Sequence, residues 1–333
     1  MQVLRKLLFP ISLIYALVVL VRNLFYDKGI FKSKTFLTKT ICVGNLSLGG
    51  TGKTPMTEVL VRFLTPTYKV AMLSRGYKRK STGFVLATKN TSVKEIGDEP
   101  FQIFKKFPEI TVAVDSDRRN GINRLEKEIK PDVIVLDDAF QHRKVRPDYS
   151  ILLTTYDNLY VNDWYLPTGN LRDSRYAAQR ANCIIVTKCP ASISSEEQGR
   201  IQQKIKPKEH QTVMFAYLSY GEQILGVGKS VLLSFFKDKE LTLVTGIANP
   251  KPLVSYLNRK GISFEHLEYN DHHFFTKNEL ELLRRKKYIL TTEKDYVRLK
   301  GDLDNLYYLP ISHSFLSNGE AILEQEIKAL MTR

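Results

Sequence analysis

Cysteine is scarce in this chain. Only Cys42, Cys183 and Cys189 occur, and none is spaced as part of a zinc pattern. An odd, sparse count argues against a disulfide framework and reads as reduced thiols in a cytosolic compartment. Pro/Gly/Ser-rich linkers, low-complexity tracts and internal repeats are also lacking. A hydrophobic share of 43% in 333 residues instead supports a sizeable core and about two domains. Acids are in short supply: 35 Asp and Glu face 50 Lys and Arg, a formal charge of +15. That balance favours an acidic partner, such as nucleic acid, an anionic membrane surface or a phosphorylated substrate. No nucleic-acid recognition motif accompanies the charge, so membrane and substrate explain it better.

Long apolar runs are nearly absent. The exception covers residues 7–21, flanked by Arg5, Lys6 and Arg22. The run falls short of the ~20 apolar residues that span a bilayer, and Pro10 interrupts it early. No small-residue cleavage site follows, so a signal peptide is not indicated. Lys28, Lys32, Lys34 and Lys39 then accumulate against the single acid Asp27. An apolar helix with a basic rim is expected to lie on an anionic membrane; a buried core helix is the alternative.

The densest chemistry lies just beyond. A β-branched run, Thr40-Ile41-Cys42-Val43, leads into Gly44-Asn45-Leu46-Ser47-Leu48-Gly49-Gly50-Thr51-Gly52-Lys53-Thr54-Pro55, and apolar residues at helical spacing follow to Leu64. Strand, Gly-rich turn, Gly-Lys-Thr and helix is the context of a phosphate-binding loop. Backbone N–H groups of residues 47–54 would converge on phosphate oxygens at a helix N-terminus. Lys53 would reach the β- and γ-phosphates, and the Thr54 hydroxyl would hold Mg²⁺. The strict pattern has glycine where this chain has Ser47.

A second signal supports the first. Pro131-Asp132-Val133-Ile134-Val135-Leu136-Asp137-Asp138 reads as a buried parallel strand ending in acids, the arrangement whose carboxylate serves Mg²⁺. Arg75 follows another apolar strand, where an open α/β sheet meets its ligands; a plain surface arginine would look the same. Asp98 and Glu99 precede Pro100 at a helix start, where acids can cap the helix or serve as base and metal ligand. Thr187-Lys188-Cys189-Pro190 is like the guanine-reading segment of GTPases but lacks its Asp, which favours ATP over GTP. The Asp271-His272-His273 cluster has no third metal ligand spaced nearby.

The expected architecture is α/β. It comprises an N-terminal interfacial helix (1–30), a P-loop NTPase-like, mainly parallel domain (31–210), a two-stranded β-ribbon (211–237) and a smaller α/β domain closing over the site (238–333). The stretch 287–295 is expected as a strand followed by a charged loop.

These stretches together resemble the tetraacyldisaccharide 4′-kinase family. The resemblance rests on the phosphate loop, Ser74-Arg75-Gly76-Tyr77, Gly97-Asp98-Glu99-Pro100, Asp137-Asp138 with Phe140-Gln141-His142, Gly169-Asn170-Leu171-Arg172, Gly246-Ile247-Ala248-Asn249-Pro250, Asp271-His272-His273 and Thr292-Glu293-Lys294-Asp295, in family order over about residues 40–295. The family shares Ser47, whereas Ala139 stands where many members have glycine. The resemblance implies ATP-dependent phosphorylation of the 4′-hydroxyl of tetraacyldisaccharide 1-phosphate, giving lipid IVA in lipid A biosynthesis. It implies Asp98 as base, assisted by His272 across a domain cleft. Thr54, Asp137 and Asp138 would hold Mg²⁺, with Glu99 as a further ligand. Arg75, Tyr77, Arg118, Gln141, His142 and Arg172 would line the substrate site, with the arginines' division between lipid and ATP left open. A monomer on the cytoplasmic face of the inner membrane, peripheral or monotopic, is the matching expectation. Two other readings fit the phosphate loop: a P-loop enzyme with another acceptor, and a membrane-docked NTPase switch.

Overall fold

A computed structural model describes residues 2–226, 228, 230–271 and 273–332. In chain order its strands are β1 Lys39–Asn45, β2 Val70–Ser74, β3 Val85–Leu86, β4 Thr111–Val114, β5 Val133–Asp137, β6 Tyr149–Thr155, β7 Cys183–Thr187 and β8 Thr212–Tyr220. There follow β9 Gln223–Gly226, β10 Ser230–Leu232, β11 Leu241–Thr245, β12 Glu265–Glu268, β13 Tyr288–Thr292, β14 Leu306–Leu309 and β15 Ile311–Phe315.

Nine strands form one sheet in the order β15-β8-β7-β6-β1-β5-β2-β4-β3. Pairing is parallel from β8 through β4. Helices cover both faces of such a sheet, so its strands read as continuous apolar runs. Side chains alternate between faces. Ile41, Val43 and Val135 enter one core, with Met56 and Leu60 of the helix Lys53–Leu64. Cys42, Ile134 and Leu136 enter the other, with Ile122 and Leu125 of the helix Arg118–Glu128. All three cysteines are buried and free.

Strand β1 is flanked by β5 on one side and β6 on the other. The chain changes direction across the sheet there, which opens a crevice at the carboxyl ends of these strands. The phosphate loop and the acids after β5 therefore fall in one place.

Six strands form a second sheet, β10-β9-β14-β13-β11-β12. Its boundaries differ from those expected. Thr212–Tyr220 extends the first sheet beside β7 instead of forming a ribbon with Ser230–Leu232, which pairs with β9. The C-terminus also leaves the second sheet. Only Pro310 separates β14 from β15, which pairs antiparallel with β8, and Leu323, Ile327 and Leu330 of the closing helix Gly319–Thr332 join the first core. The pattern of a short apolar strand does not encode which of two sheets receives it. Residues 293–295, expected as a charged loop, instead open the helix Glu293–Leu299, whose start Thr292 caps by accepting from the Asp295 N–H at 3.2 Å.

A buried ionic joint ties the two sheets' helices together. The Lys106 ammonium lies 2.8 Å from Glu58, on the helix after the phosphate loop, and 2.8 Å from Glu293. Burial pushes the Glu58 carboxyl up to about 7, Lys106 opposing and Glu293 reinforcing the shift.

The N-terminal helix Phe9–Asp27 is 19 residues long, and among the described residues it is the one helix long and apolar enough to cross a membrane. Pro10 occupies its first turn, where the missing N–H costs nothing, so it starts the helix instead of breaking it. Its amphipathicity is inverted. Leu13, Ile14, Leu17, Val18, Leu20 and Leu24 are exposed, while Ser12, Val19 and Asn23 are buried against the protein. Ser12 donates to Thr168 (2.8 Å), Tyr15 to the Arg172 carbonyl (3.0 Å) and Asn23 to buried Asp173 (2.7 Å).

Candidate active site

The phosphate loop leaves β1 at buried Asn45. Gly52 enters the following helix at φ 88°, a left-handed conformation that glycine adopts without Cβ strain. Hydrogen bonds within the loop and from distant segments hold the turn. Asn45 donates to Thr51 Oγ1 at 3.0 Å, and Thr187 at the end of β7 donates to the Thr51 carbonyl at 2.8 Å. The Leu48 N–H donates to the Asn170 carbonyl (2.7 Å), and the Arg172 N–H to that of Leu46 (2.8 Å). The segment carrying Arg172 thus forms one wall of the loop, and the N-terminal helix braces that segment from behind. A cavity of about 140 Å³ lies against Ser47, Leu48, Gly49, Gly50 and Thr51, with Lys188 opposite. Ser47 Oγ is buried there without a partner.

The two acids after β5 have opposite environments. Asp138 adopts a left-handed φ of 47°, and the chain turns between the two side chains. Asp138 pairs with Arg172 and lies 3.8 Å from the Lys53 ammonium. Burial disfavours its charge, but Lys53 and Arg172 outweigh burial and hold its carboxyl below the usual range. Asp137 is fully enclosed and accepts from Ser74 Oγ at 3.0 Å. Burial, then the charges of Glu99 and Asp138, push its carboxyl up to about 7. Its Oδ1 is buried without a partner.

Asp98 and Glu99 open the helix Asp98–Lys106. Gly97 before them has φ 88°, and a Cβ there would sit 2.8 Å from the Tyr77 carbonyl oxygen. Asp98 pairs with Arg298, which also reaches Asp295 at 3.0 Å. Asp295 in turn accepts from the Gly246 N–H (2.9 Å) and Thr292 Oγ1 (2.7 Å). The Thr-Glu-Lys-Asp segment of the second sheet therefore supports Asp98 through an arginine. A recess beside Asp98 is lined by exposed Tyr77, by Lys78, Lys80 and Lys94, and by Phe274.

The other expected residues divide. Arg75 is exposed at the end of β2. Arg118 is buried and donates to the backbone carbonyls of Asp115 (2.6 Å) and Asp137 (3.2 Å), tying two strand ends together. Gln141 donates to the Asn45 carbonyl at 2.7 Å, at the root of the phosphate loop. His142 lies 3.7 Å from Asp117. Burial, with Arg118 adding, pushes its imidazolium down to about 4, so the ring is neutral near pH 7. His272 lies outside the described residues. No group of three His, Cys, Asp or Glu side chains forms a metal cluster among the described residues. Lys188, Arg298 and His313 were not expected at the site. Lys188 had a signal in its GTPase-like segment; the other two had none.

A phosphate loop at the crevice of a parallel sheet, facing a strand-end acid pair, defines a nucleotide-binding α/β protein of the P-loop NTPase type. The family model for LpxK, tetraacyldisaccharide-1-P 4′-kinase, matches residues 4–331. The chain belongs to this family of lipid kinases. It is 49% identical to the tetraacyldisaccharide 4′-kinase of Flavobacterium johnsoniae over 96% of this chain and 95% of that one. It is 44% identical to the Phocaeicola vulgatus enzyme of the same name, covering 97% and 94%. LpxK from Aquifex aeolicus, solved in complex with ATP, superposes with a TM-score of 0.81 at 29% identity, covering 98% of this chain and 99% of that one.

Proposed function

We propose that this protein transfers the γ-phosphoryl group of ATP to the 4′-hydroxyl of tetraacyldisaccharide 1-phosphate, giving lipid IVA and ADP. The observation that carries this reading lies at the end of β5. Asp138 there meets Lys53 of the phosphate loop, while Asp137 feels the charge of Glu99, the neighbour of Asp98. A phosphate-holding group and the neighbour of a candidate base thus both act on one strand end. Asp98 takes the proton of the 4′-hydroxyl as its oxygen bonds to the γ-phosphorus and the bond to the ADP oxygen breaks. Lys53 meets the charge that builds on the transferring group. Arg172 holds Asp138 in place for Lys53, and the lysine-lined recess beside Asp98 suits an anionic sugar lipid. His272 assists Asp98 in this reading.

The residues fit Mg²⁺. Asp137 offers an enclosed oxygen without a partner, and Thr54 a hydroxyl in the helix's first turn. Mg²⁺ takes one or two carboxylates and fills its shell with phosphate oxygens and water, so a full protein cluster is not required. Glu99 would stand beside Asp137 as a further ligand; Asp138 is engaged by Arg172 and Lys53. Bound there, the ion would neutralise charge on the phosphate oxygens.

Incubation with γ-labelled ATP and the disaccharide lipid in detergent tests the reaction. Label should appear on the lipid at its 4′ position. Release of inorganic phosphate with an unlabelled lipid would show a switch or an ATPase instead.

The exposed apolar face of Phe9–Asp27, beside the basic stretch that follows, supports attachment to an anionic membrane surface, and the proposed setting is the cytoplasmic face of the inner membrane. Removing residues 1–27 should shift the protein to the soluble fraction. It should also lower kcat in detergent by about tenfold or more, because the hydrogen bonds that brace the Arg172 segment each contribute about 1 kcal/mol. Unchanged sedimentation with membranes would refute the anchoring role, and an unchanged kcat the bracing role.

A further inference from the structure

His313 belongs to β15, the strand that returns from the second sheet to the edge of the first. Its ring reaches under the phosphate loop, and Nε2 lies 2.9 Å from the Gly52 carbonyl oxygen. The fit is close: a Cβ on Gly52 would fall 2.6 Å from Nε2. The same carbonyl accepts the Met56 N–H at 3.1 Å, in the first turn of the helix. Two donors from different elements therefore set the direction of the peptide immediately before Lys53. We propose that His313 is a positioning residue for the phosphate loop, aligning the Gly52–Lys53 peptide so that the loop is ready to receive the phosphates of ATP.

The ring chemistry supports this role. A carbonyl only accepts, so the proton must be on Nε2. Nδ1 is then bare, and it is buried without a partner. Burial pushes the imidazolium down to about 4, with Lys188 adding to the shift, so the ring is neutral near pH 7 and gives one fixed donor. Neither a cation nor a second tautomer competes for the site. Placement on β15 adds a connection: Pro310 alone separates this strand from β14 of the second sheet.

Three substitutions in the full-length protein test the proposal, which rests on the phosphate loop being the ATP site. His313→Leu fills the space without a donor. His313→Gln keeps an N–H that can reach the carbonyl. Lys53→Ala serves as the control for that underlying reading. His313→Leu should raise the KM for ATP by about tenfold, the effect of one lost net hydrogen bond and a less ordered loop. The KM for the lipid acceptor should stay within about twofold, and His313→Gln should recover most of the ATP effect. Equal losses in the Leu and Gln variants at unchanged Tm, or a normal KM for ATP in the Leu variant, would overturn it. If Lys53→Ala leaves turnover intact, the loop's role in catalysis fails first. A second measurement needs no substitution: ¹⁵N NMR of the unaltered protein in detergent should show a neutral His313 ring protonated on Nε2. Protonation on Nδ1 alone, or an imidazolium at pH 7, would exclude donation to Gly52.

Discussion

Lys53→Ala should leave a folded protein that transfers phosphoryl groups roughly 10²–10³-fold more slowly, the cost of removing one donor aimed at developing charge. The loss should fall mainly on kcat. In the proposed mechanism Lys53 meets the γ-phosphoryl where charge builds during transfer, whereas many backbone N–H groups of residues 47–54 would share ground-state binding of ATP. Asp138 would lose one cation but keep Arg172, so its carboxylate stays paired and Tm should hardly move. Lys53→Arg should not restore activity. Its planar fork keeps the charge but cannot occupy the compact place of an ammonium enclosed by a Gly-rich turn. Steady-state kinetics with γ-labelled ATP, alongside thermal unfolding, decides the matter. A kcat within about threefold of the unsubstituted enzyme, far short of the loss expected for a donor to developing charge, would remove Lys53 from the chemistry.

Asp98→Asn should be nearly as damaging, with kcat down by about 10²–10⁴, the range of general acid–base contributions. The amide oxygen can still accept from Arg298, so the geometry that the second sheet imposes is retained. What is lost is the capacity to take a proton. Asp98→Ala should show a similar fall, and Arg298 would still be paired with Asp295 at 3.0 Å, so the fold should survive. Equilibrium binding of ATP should change by less than about threefold in both variants, because the proposal assigns nucleotide affinity to the phosphate loop. If the Asp98→Asn enzyme turns over at the original rate while the Asp98→Ala enzyme does not, Asp98 is a structural acceptor for Arg298 and the base must be sought elsewhere.

Much of the first domain was legible because its signals are local. The strand leading to Asn45, the glycines, Lys53-Thr54 and the helix after them are contiguous, and so are β5 and its acids. The second half was less legible. The Thr-Glu-Lys-Asp segment looked like a charged loop because a seven-residue helix carries little periodicity; its cap and the bonds of Asp295 are what make it helical. The resemblance places Arg118 and Gln141 at the substrate site, and the fold adds backbone contacts for both. Their partners, the Asp137 and Asn45 carbonyls, are backbone atoms that no residue pattern reveals.

The residues by themselves determined that a phosphate loop opens a helix, that an acid pair ends a parallel strand, and that an apolar helix precedes both. Each depends on the order and spacing of neighbours along the chain. Tertiary structure alone decided that Asp138 stands between Lys53 and Arg172, that the N-terminal helix turns its polar stripe inward onto the Arg172 segment, and that the last strand brings His313 beneath Gly52. Those contacts join segments far apart in sequence. They form only when the crossing order of the sheet, the burial of polar groups and the need to satisfy their hydrogen bonds are met together.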